Sequence, residues 1–397
     1  MYDRYLALHA VQHFPPSCLN RGEYNQPKTL TVGNATRAIV SSQTQRRHWS
    51  VDIQCWLDEK TARTRRLPPL VAEALREAGW SDDLAHFAAG QIARSATAKG
   101  MDTNPKEGHR TQAMLLLAAD SIVEDLAALC TRHRTALEKG LAALTATPDE
   151  GNGTRKRPKP PAALLPSDEV GACLSRRTAT INLFGRMLAG LNGAEVTSAV
   201  QTAPAFTTHS ADLQPDFFTA LEDWPAQGDN GSAHLDTAFV TTGAFYRYTT
   251  VNLTDLVRNL DGNHSEALRL LRLFMRAFIL TVPPAKKTST APHTVPDLVA
   301  YAVHDGRSLT YAGAFEQPVQ ASHRGGYLTP TYQALDAHAG ILDKLIGTAD
   351  RIGHGYATAQ SDNATHLGTR HDSFDALIDA ALTDVTATAA TPTTAAA

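Results

Sequence analysis

Cysteine is scarce in this chain of 397 residues, and the four present, Cys18, Cys55, Cys130 and Cys173, form no CxxC pair. That spacing excludes a zinc ribbon or dithiol redox motif and suits a reducing compartment. Long apolar runs are missing too. No stretch reaches the roughly 18 residues a membrane helix needs, and Met1–Phe14 lacks the charged-then-apolar pattern of a secretion signal. The expected location is the cytoplasm, with no membrane partner. There is no excess of one charge: 37 lysines and arginines face 40 aspartates and glutamates, a net −3. A uniformly basic coat for nucleic acid is excluded, so any grip on a polyanion must be local. The GxxxxGK[ST], GxSxG and HExxH motifs do not occur. The 16 histidines show no ligand-like spacing, so neither a metal nor a cofactor is expected. No internal repeat of fixed period is present, and any repetition must come from copies of the whole chain.

What is present is an ordinary soluble composition, 43% hydrophobic and 19% charged, long enough for one large or two ordinary domains. Residues 4–13 are apolar on both alternating faces, with Tyr5, Ala7, His9 and Val11 on one and Leu6, Leu8 and Ala10 on the other. This predicts a central strand. A helix is expected from about residue 41, another over LPPLVAEALREAG with Pro68 at its start, and a longer one from Gln112. Residues 176–188 and 243–252 read as strands, 264–282 as a helix, and 297–304 as a strand. That order predicts an α+β fold with an antiparallel sheet, compatible with a ferredoxin-like core carrying large insertions. Residues 148–168 form a Pro- and Gly-rich loop with the basic run Arg155, Lys156, Arg157 and Lys159. The tail 385–397 is low-complexity and expected to be disordered.

The candidate site lies in PPSCLNRGEYNQPKTLTVGNATRAIVSSQTQRRHW, residues 15–49. Ser41, Ser42, Gln43, Arg46 and Arg47 cluster at an expected helix start, where unpaired N–H groups and the helix dipole suit phosphate oxygens. Asn20, Arg21 and Lys28 precede them. Over residues 37–66 seven basic side chains, Arg37 among them, face three acidic ones. The same cluster read blandly is a capped, solvated helix. Phe217 and Phe218, followed by Thr219, stand in a polar segment where only one ring easily points inward, and an exposed ring can stack on a base. Met187, within GRMLAGLNG, reads as a core gap-filler or as an apolar wedge, with Arg186 beside it a phosphate candidate. Lys286 and Lys287 form a secondary basic pair.

The runs PPSCLNR and SSQTQRR, with GRMLAGLNG at 185–193 and NGSAHLDTAFVTTGAFYRYTTVNLTDL at 230–256, resemble the backbone subunit of the type I-E CRISPR surveillance complex Cascade, the CasC family of the RAMP superfamily. The resemblance covers roughly residues 1–330. It implies an RRM-like palm from residues 1–59, 176–203 and 241–345, a helical fingers insertion over 60–175, and a thumb over 204–240. It implies that Asn20, Arg21, Lys28, Ser41, Ser42, Gln43, Arg46, Arg47, Arg186 and Met187 line a guide-RNA groove. It further implies that Phe217, Phe218 and Thr219 press between nucleotides, with Lys286 and Lys287 as secondary contacts. The implied partners are a guide RNA, target DNA through guide pairing, further copies of the chain in a helical filament, and guide-end processing, large and small Cascade subunits. The implied protein is non-catalytic. A RAMP-type endoribonuclease is the alternative, with Glu23 and His13 as candidate groups. A protein-only assembly factor is a third reading.

Overall fold

A strand that is apolar on both faces has to sit inside a sheet, and β1 (Arg4–Ser17) does: Leu6, Leu8, Ala10, His9 and Val11 are all buried. The computed structural model describes residues 3–146, 162–188, 191, 193–221, 232–361 and 363–387. Nine further strands join β1 in one sheet: β2 (Thr29–Val32), β3 (Ala35–Val40), β4 (Val200–Thr202), β5 (Ala205–Thr207), β6 (Gln214–Leu221), β7 (Ser232–Asn252), β8 (Leu298–Asp305), β9 (Arg351–Thr358) and β10 (Thr369–Arg370). Their order is β10-β9-β8-β1-β7-β5-β3-β2, and β4 and β6 also pair with β7. All pairings are antiparallel except the short one between β9 and β10. The main helices beside this sheet are α1 (Ser42–Leu57), α2 (His264–Leu280), α3 (Leu328–Ile346) and α4 (Phe374–Thr386). In chain order β1, α1, β5, β7, α2 and β8 make a βαββαβ unit whose strands lie fourth, first, third, second. This is the ferredoxin-like, RRM-like α+β fold expected from the sequence.

One sheet face is closed by α1 and α2. Gln45, Trp49 and Ile53 are the buried stripe of α1, four residues apart. Trp49 meets Phe274 of α2 edge-on at 5.6 Å. Arg247 of β7 lies buried on this face, bonded to Gln12 Oε1 at 2.5 Å and to the Phe278 carbonyl. The other face carries His9, Val11, Ala244 and Tyr246. His9 stacks on Tyr311 at 4.1 Å, and Phe315 and Leu335 complete the cover. In an RRM the aromatics of the corresponding face take RNA bases. Here that half of the face is core, so a nucleic-acid grip has to be built elsewhere.

Two histidines in this core make the fold acid-sensitive. Burial, aided by the neighbouring His304, pushes His9 down to about 3, and burial with Arg351 nearby pushes His304 down to about 4. Above about pH 6.5 both are neutral whether the chain is folded or not. Below it the unfolded chain takes up protons that the folded chain refuses, so stability falls as the pH drops from 6.5 toward 4. The urea midpoint is expected to fall between pH 7 and pH 5; a midpoint unchanged over that interval would contradict the assignment.

The chain forms two compact units, Met1–Ile53 with Ala199–Ala397, and Gln54–Ser198. The second contains the helices Leu67–Glu77, Asp82–Ser95, Ile122–Arg132, Arg134–Ala146, Ser167–Ser175 and Ala179–Phe184. Leu75, Ile92, Leu126, Leu129 and Leu137 sit in its core. Two expectations are corrected here. The long helix from Gln112 is instead a strand, Leu115–Ala118, paired with Thr61–Thr64 and followed by two helices. Leu115 and Leu117 are buried while Leu116 and Ala118 are half-buried, a period of two that a four-residue apolar run cannot announce alone. Residues 176–188 do not return to the sheet as a strand. Thr178 caps a short helix by accepting the Ile181 N–H, and Gly185 ends it at φ +77°. A side chain at Gly185 would meet the Ser198 nitrogen and the Val196 carbonyl at 2.8 Å. Residues 176–198 thus group with the second unit, where the family resemblance implied the palm. Of the tail expected to be disordered from residue 385, Val385 and Thr386 instead end α4, where Val385 is buried against the fold; Arg155, Lys156, Arg157 and Lys159, and residues 388–397, lie outside the described residues. Among the described residues no helix is long and apolar enough to cross a membrane.

Candidate nucleic-acid interface

The start of α1 is assembled from residues 21 and 24 positions apart. Ser41 is the N-cap: its Oγ accepts the Thr44 N–H at 3.3 Å and lies 2.9 Å from Thr44 Oγ1, while its carbonyl accepts the Gln45 N–H at 3.1 Å. Asn20 Oδ1 accepts the Ser41 N–H at 2.8 Å and the Thr44 hydroxyl at 3.3 Å. Gln45 Nε2 donates to the Val40 and Ala203 carbonyls, which fixes the angle at which α1 leaves β3. Of the four N–H groups that open a helix without partners, those of Ser41 and Thr44 are therefore taken, by Asn20 Oδ1 and Ser41 Oγ. Those of Ser42 and Gln43 meet no acceptor among the described residues, and they carry the positive end of the helix dipole. Ser41→Ala is expected to cost about 1 kcal/mol, the usual value of such a cap. A lowered urea midpoint checks this, and an unchanged one refutes the capping role.

The loop that brings Asn20 here is closed by main-chain bonds. Lys28 N donates to the Asn20 carbonyl, Ile39 N to the Lys28 carbonyl, and Gly22 N to the Gln26 carbonyl, at 2.7–2.8 Å. Arg21 and Lys28 are exposed, as are Gln43 and Arg47; Ser42 and Arg46 are half-buried. Lys286 joins them from the turn after α2. Burial pushes the Cys18 thiol up, while the charges of Lys286 and then Arg21 pull it back, so both cations lie near Cys18. Lys287 beside it is exposed. The structure therefore ties the loop that carries exposed Arg21 and Lys28 to the helix start that leaves two N–H groups unclaimed. Two residues escaped the sequence reading. Thr44 ties Ser41 to Asn20, and its spacing of three from the cap is the signal. Tyr24 is 78% exposed at the tip of the Arg21–Lys28 loop, and an aromatic residue in a polar turn was the same clue as at Phe217.

Several expected contacts prove to be internal. The Ser41 hydroxyl is spent on the cap, whereas Asn20 spends only its amide oxygen there and keeps its exposed Nδ2, 3.5 Å from the Arg21 carbonyl, as the donor a phosphate contact requires. Arg37, counted in the basic segment, is fully buried and holds the Thr207 and Phe315 carbonyls at 2.9 and 3.0 Å. Arg186, in the second unit, is buried as well. Its guanidinium donates to the carbonyls of Ala194, Leu174, Arg176 and Ser175 at 2.7–3.2 Å. Desolvation lowers it to about 10, with Arg177 adding to the shift. The expected phosphate contact is corrected to a clamp on its own main chain. Met187 next to it is 81% exposed and so is no core gap-filler. The glycine-rich continuation at Gly190 lies outside the described residues.

Phe217, Phe218 and Thr219 lie on β6, which with β7 forms a two-stranded ribbon. Phe217 faces Thr237 and Thr219 faces Leu235 across it, while Phe218 opposite Asp236 points to the other side. Phe217 is 65% and Leu235 61% exposed. A two-stranded ribbon has little stability of its own, and exposed rings on it are surface offered to something else. The tip residues Trp224 and Pro225 lie outside the described residues. His13 and Glu23 are both exposed; the His13 main-chain N–H donates to Asp297 at 2.8 Å. No group of three His, Cys, Asp or Glu among the described residues is placed to hold a metal.

Comparison with known proteins agrees with this architecture. The family model described as CT1975-like protein matches residues 6–380. A chain of the solved structure "CRISPR RNA-guided surveillance complex, pre-nicking" is 37% identical, with a TM-score of 0.85 over 96% of this chain and 100% of that one. A chain of a second, "CRISPR RNA-guided surveillance complex", is 33% identical, with a TM-score of 0.75 over 96% of this chain and 99% of that one. No curated protein matches.

Proposed function

The chain belongs to the CT1975-like protein family, and from that premise we propose that it is a subunit of a Cascade-type CRISPR surveillance complex, the type I-E backbone subunit CasC. It holds a guide RNA without cutting it. The observation that carries the reading is that the loop bearing exposed Arg21 and Lys28 is tied through Asn20 to the start of α1, where the N–H groups of Ser42 and Gln43 are open and Arg47 is exposed one turn on. Such a set grips phosphates and ignores base identity, so any guide sequence is accepted. Copies stack head-to-tail along the RNA, because a heterologous contact that does not close propagates as a helix. The ribbon with Phe217 and Phe218 inserts between nucleotides, and Met187 presses on the strand as an apolar wedge. The guide's base edges stay free, and pairing with them reads target DNA. A guide-end processing subunit, a large subunit and small subunits complete the assembly.

Co-expression with its genomic neighbours and a repeat-spacer RNA tests this. Protected RNA of uniform length with many copies of the chain per RNA is expected. RNA cut at internal sites, with cutting lost in Glu23→Ala or His13→Ala, would replace the scaffold by a nuclease. A complex that assembles free of RNA would replace it by an assembly factor.

A further inference from the structure

The second face of the sheet is closed over His9, Val11 and Tyr246 but opens toward the start of β1. There Tyr5, Tyr248, Thr250 and Gln201 line a hollow of about 380 Å³, rimmed by Arg307 and Ser308. The registers place these groups together: Thr250 lies opposite both Ala7 and Gln201, and Tyr248 opposite His9. The loop after β8 turns at Gly306, φ +86°, and comes back over the face, where Ser308 Oγ lies 2.9 Å from Tyr248 Oη. That bond holds the Tyr248 ring as a fixed wall. Gln201 and Arg307 are exposed, and Arg307 pairs with no carboxylate among the described residues.

From this geometry we infer a second binding site, for one nucleotide of a single strand. The volume is within the range of small-ligand pockets, about 300–1,000 Å³. An aromatic wall accepts the π-face of any base. The Gln201 amide presents a donor and an acceptor to a base edge, and the Arg307 guanidinium suits a phosphate. Asp3 and Asp255 act on the Tyr5 hydroxyl; their charge disfavours a phosphate at that end and leaves Arg307 as its place. The Thr250 hydroxyl is turned to the Leu6 carbonyl at 3.2 Å, so it offers no fixed donor to a ribose 2′-OH, and ribo- and deoxyribo-strands bind alike. The site is not part of the Asn20–Arg47 cluster. It adjoins that cluster at one point: Ala203, on the wall of the hollow, accepts from Gln45 Nε2 at 3.0 Å, and Gln45 lies two residues from Arg47.

The test uses the full chain carrying Arg21→Glu and Arg47→Glu, so that the first cluster no longer holds the probe. It is irradiated with 5-iodouridine and 5-iododeoxyuridine tetranucleotides, and the crosslinked peptides are mapped. Crosslinks at Tyr248 or Tyr5 with both probes are expected. Adding Arg307→Glu, an exposed change that leaves the unfolding midpoint in place, is expected to cut the yield at least tenfold. Absence of crosslinks on these strands, or a yield insensitive to Arg307→Glu, would overturn the inference. Crosslinking of the ribo-probe alone would overturn its indifference to sugar. None of these results touches the guide-RNA reading, which is judged on RNA retained by the unmodified chain.

Discussion

Reversing two exposed cations, Arg21→Glu with Arg47→Glu, is expected to weaken guide-RNA binding by about 100-fold or more at moderate salt. A hydrogen bond to a charged group is worth about 1.5–3 kcal/mol, and each 1.4 kcal/mol is tenfold in affinity. Repulsion from the new carboxylates adds to the loss. The slope of log affinity against log salt should become shallower by about 0.7 for each phosphate contact removed. Neither side chain is buried, so the urea midpoint should stay within about 0.5 kcal/mol of the parent. Filter binding across a salt series measures both quantities. Equal affinity and an equal slope would show that the cluster at α1 does not hold RNA. A collapse in stability would show that the arginines serve the fold instead.

Arg186→Ala is expected to do the opposite. Its side chain is buried and spends its donors on four carbonyls from two segments, Leu174–Arg176 and Ala194. Removing it strands those acceptors. Each buried polar group left unmade costs about 1–3 kcal/mol, and breaking such a buried cationic clamp costs about 3–5 kcal/mol in all. Hydrogen exchange should speed up at residues 174–176 and 194–196, while the salt slope of RNA binding is unchanged. A stable variant with a reduced slope would return Arg186 to the list of phosphate contacts. Arginine beside a candidate contact is thus weak grounds for a role: the same residue type at Arg37 and Arg186 builds the interior, and at Arg21 and Arg47 faces outward.

The sequence by itself determined the parts in which local pattern and burial agree. The two-faced apolar run at residues 4–13 could only be an inner strand. Apolar residues at helical spacing from Leu268 to Phe278 made α2, and the strand at 297–304 closed the βαββαβ order. The start of α1 was legible from Ser41 and the polar run after it. Tertiary structure alone decided the rest. Leu115–Ala118 became a strand because Thr61–Thr64 offered it a ladder, and four residues carry too little periodicity to say so. Asn20 became part of the cap through hydrogen bonds to residues 21 and 24 positions away. Whether an arginine grips a phosphate or a carbonyl depends on which groups the folded chain leaves without water, and that is set by long-range burial rather than by its neighbours in sequence.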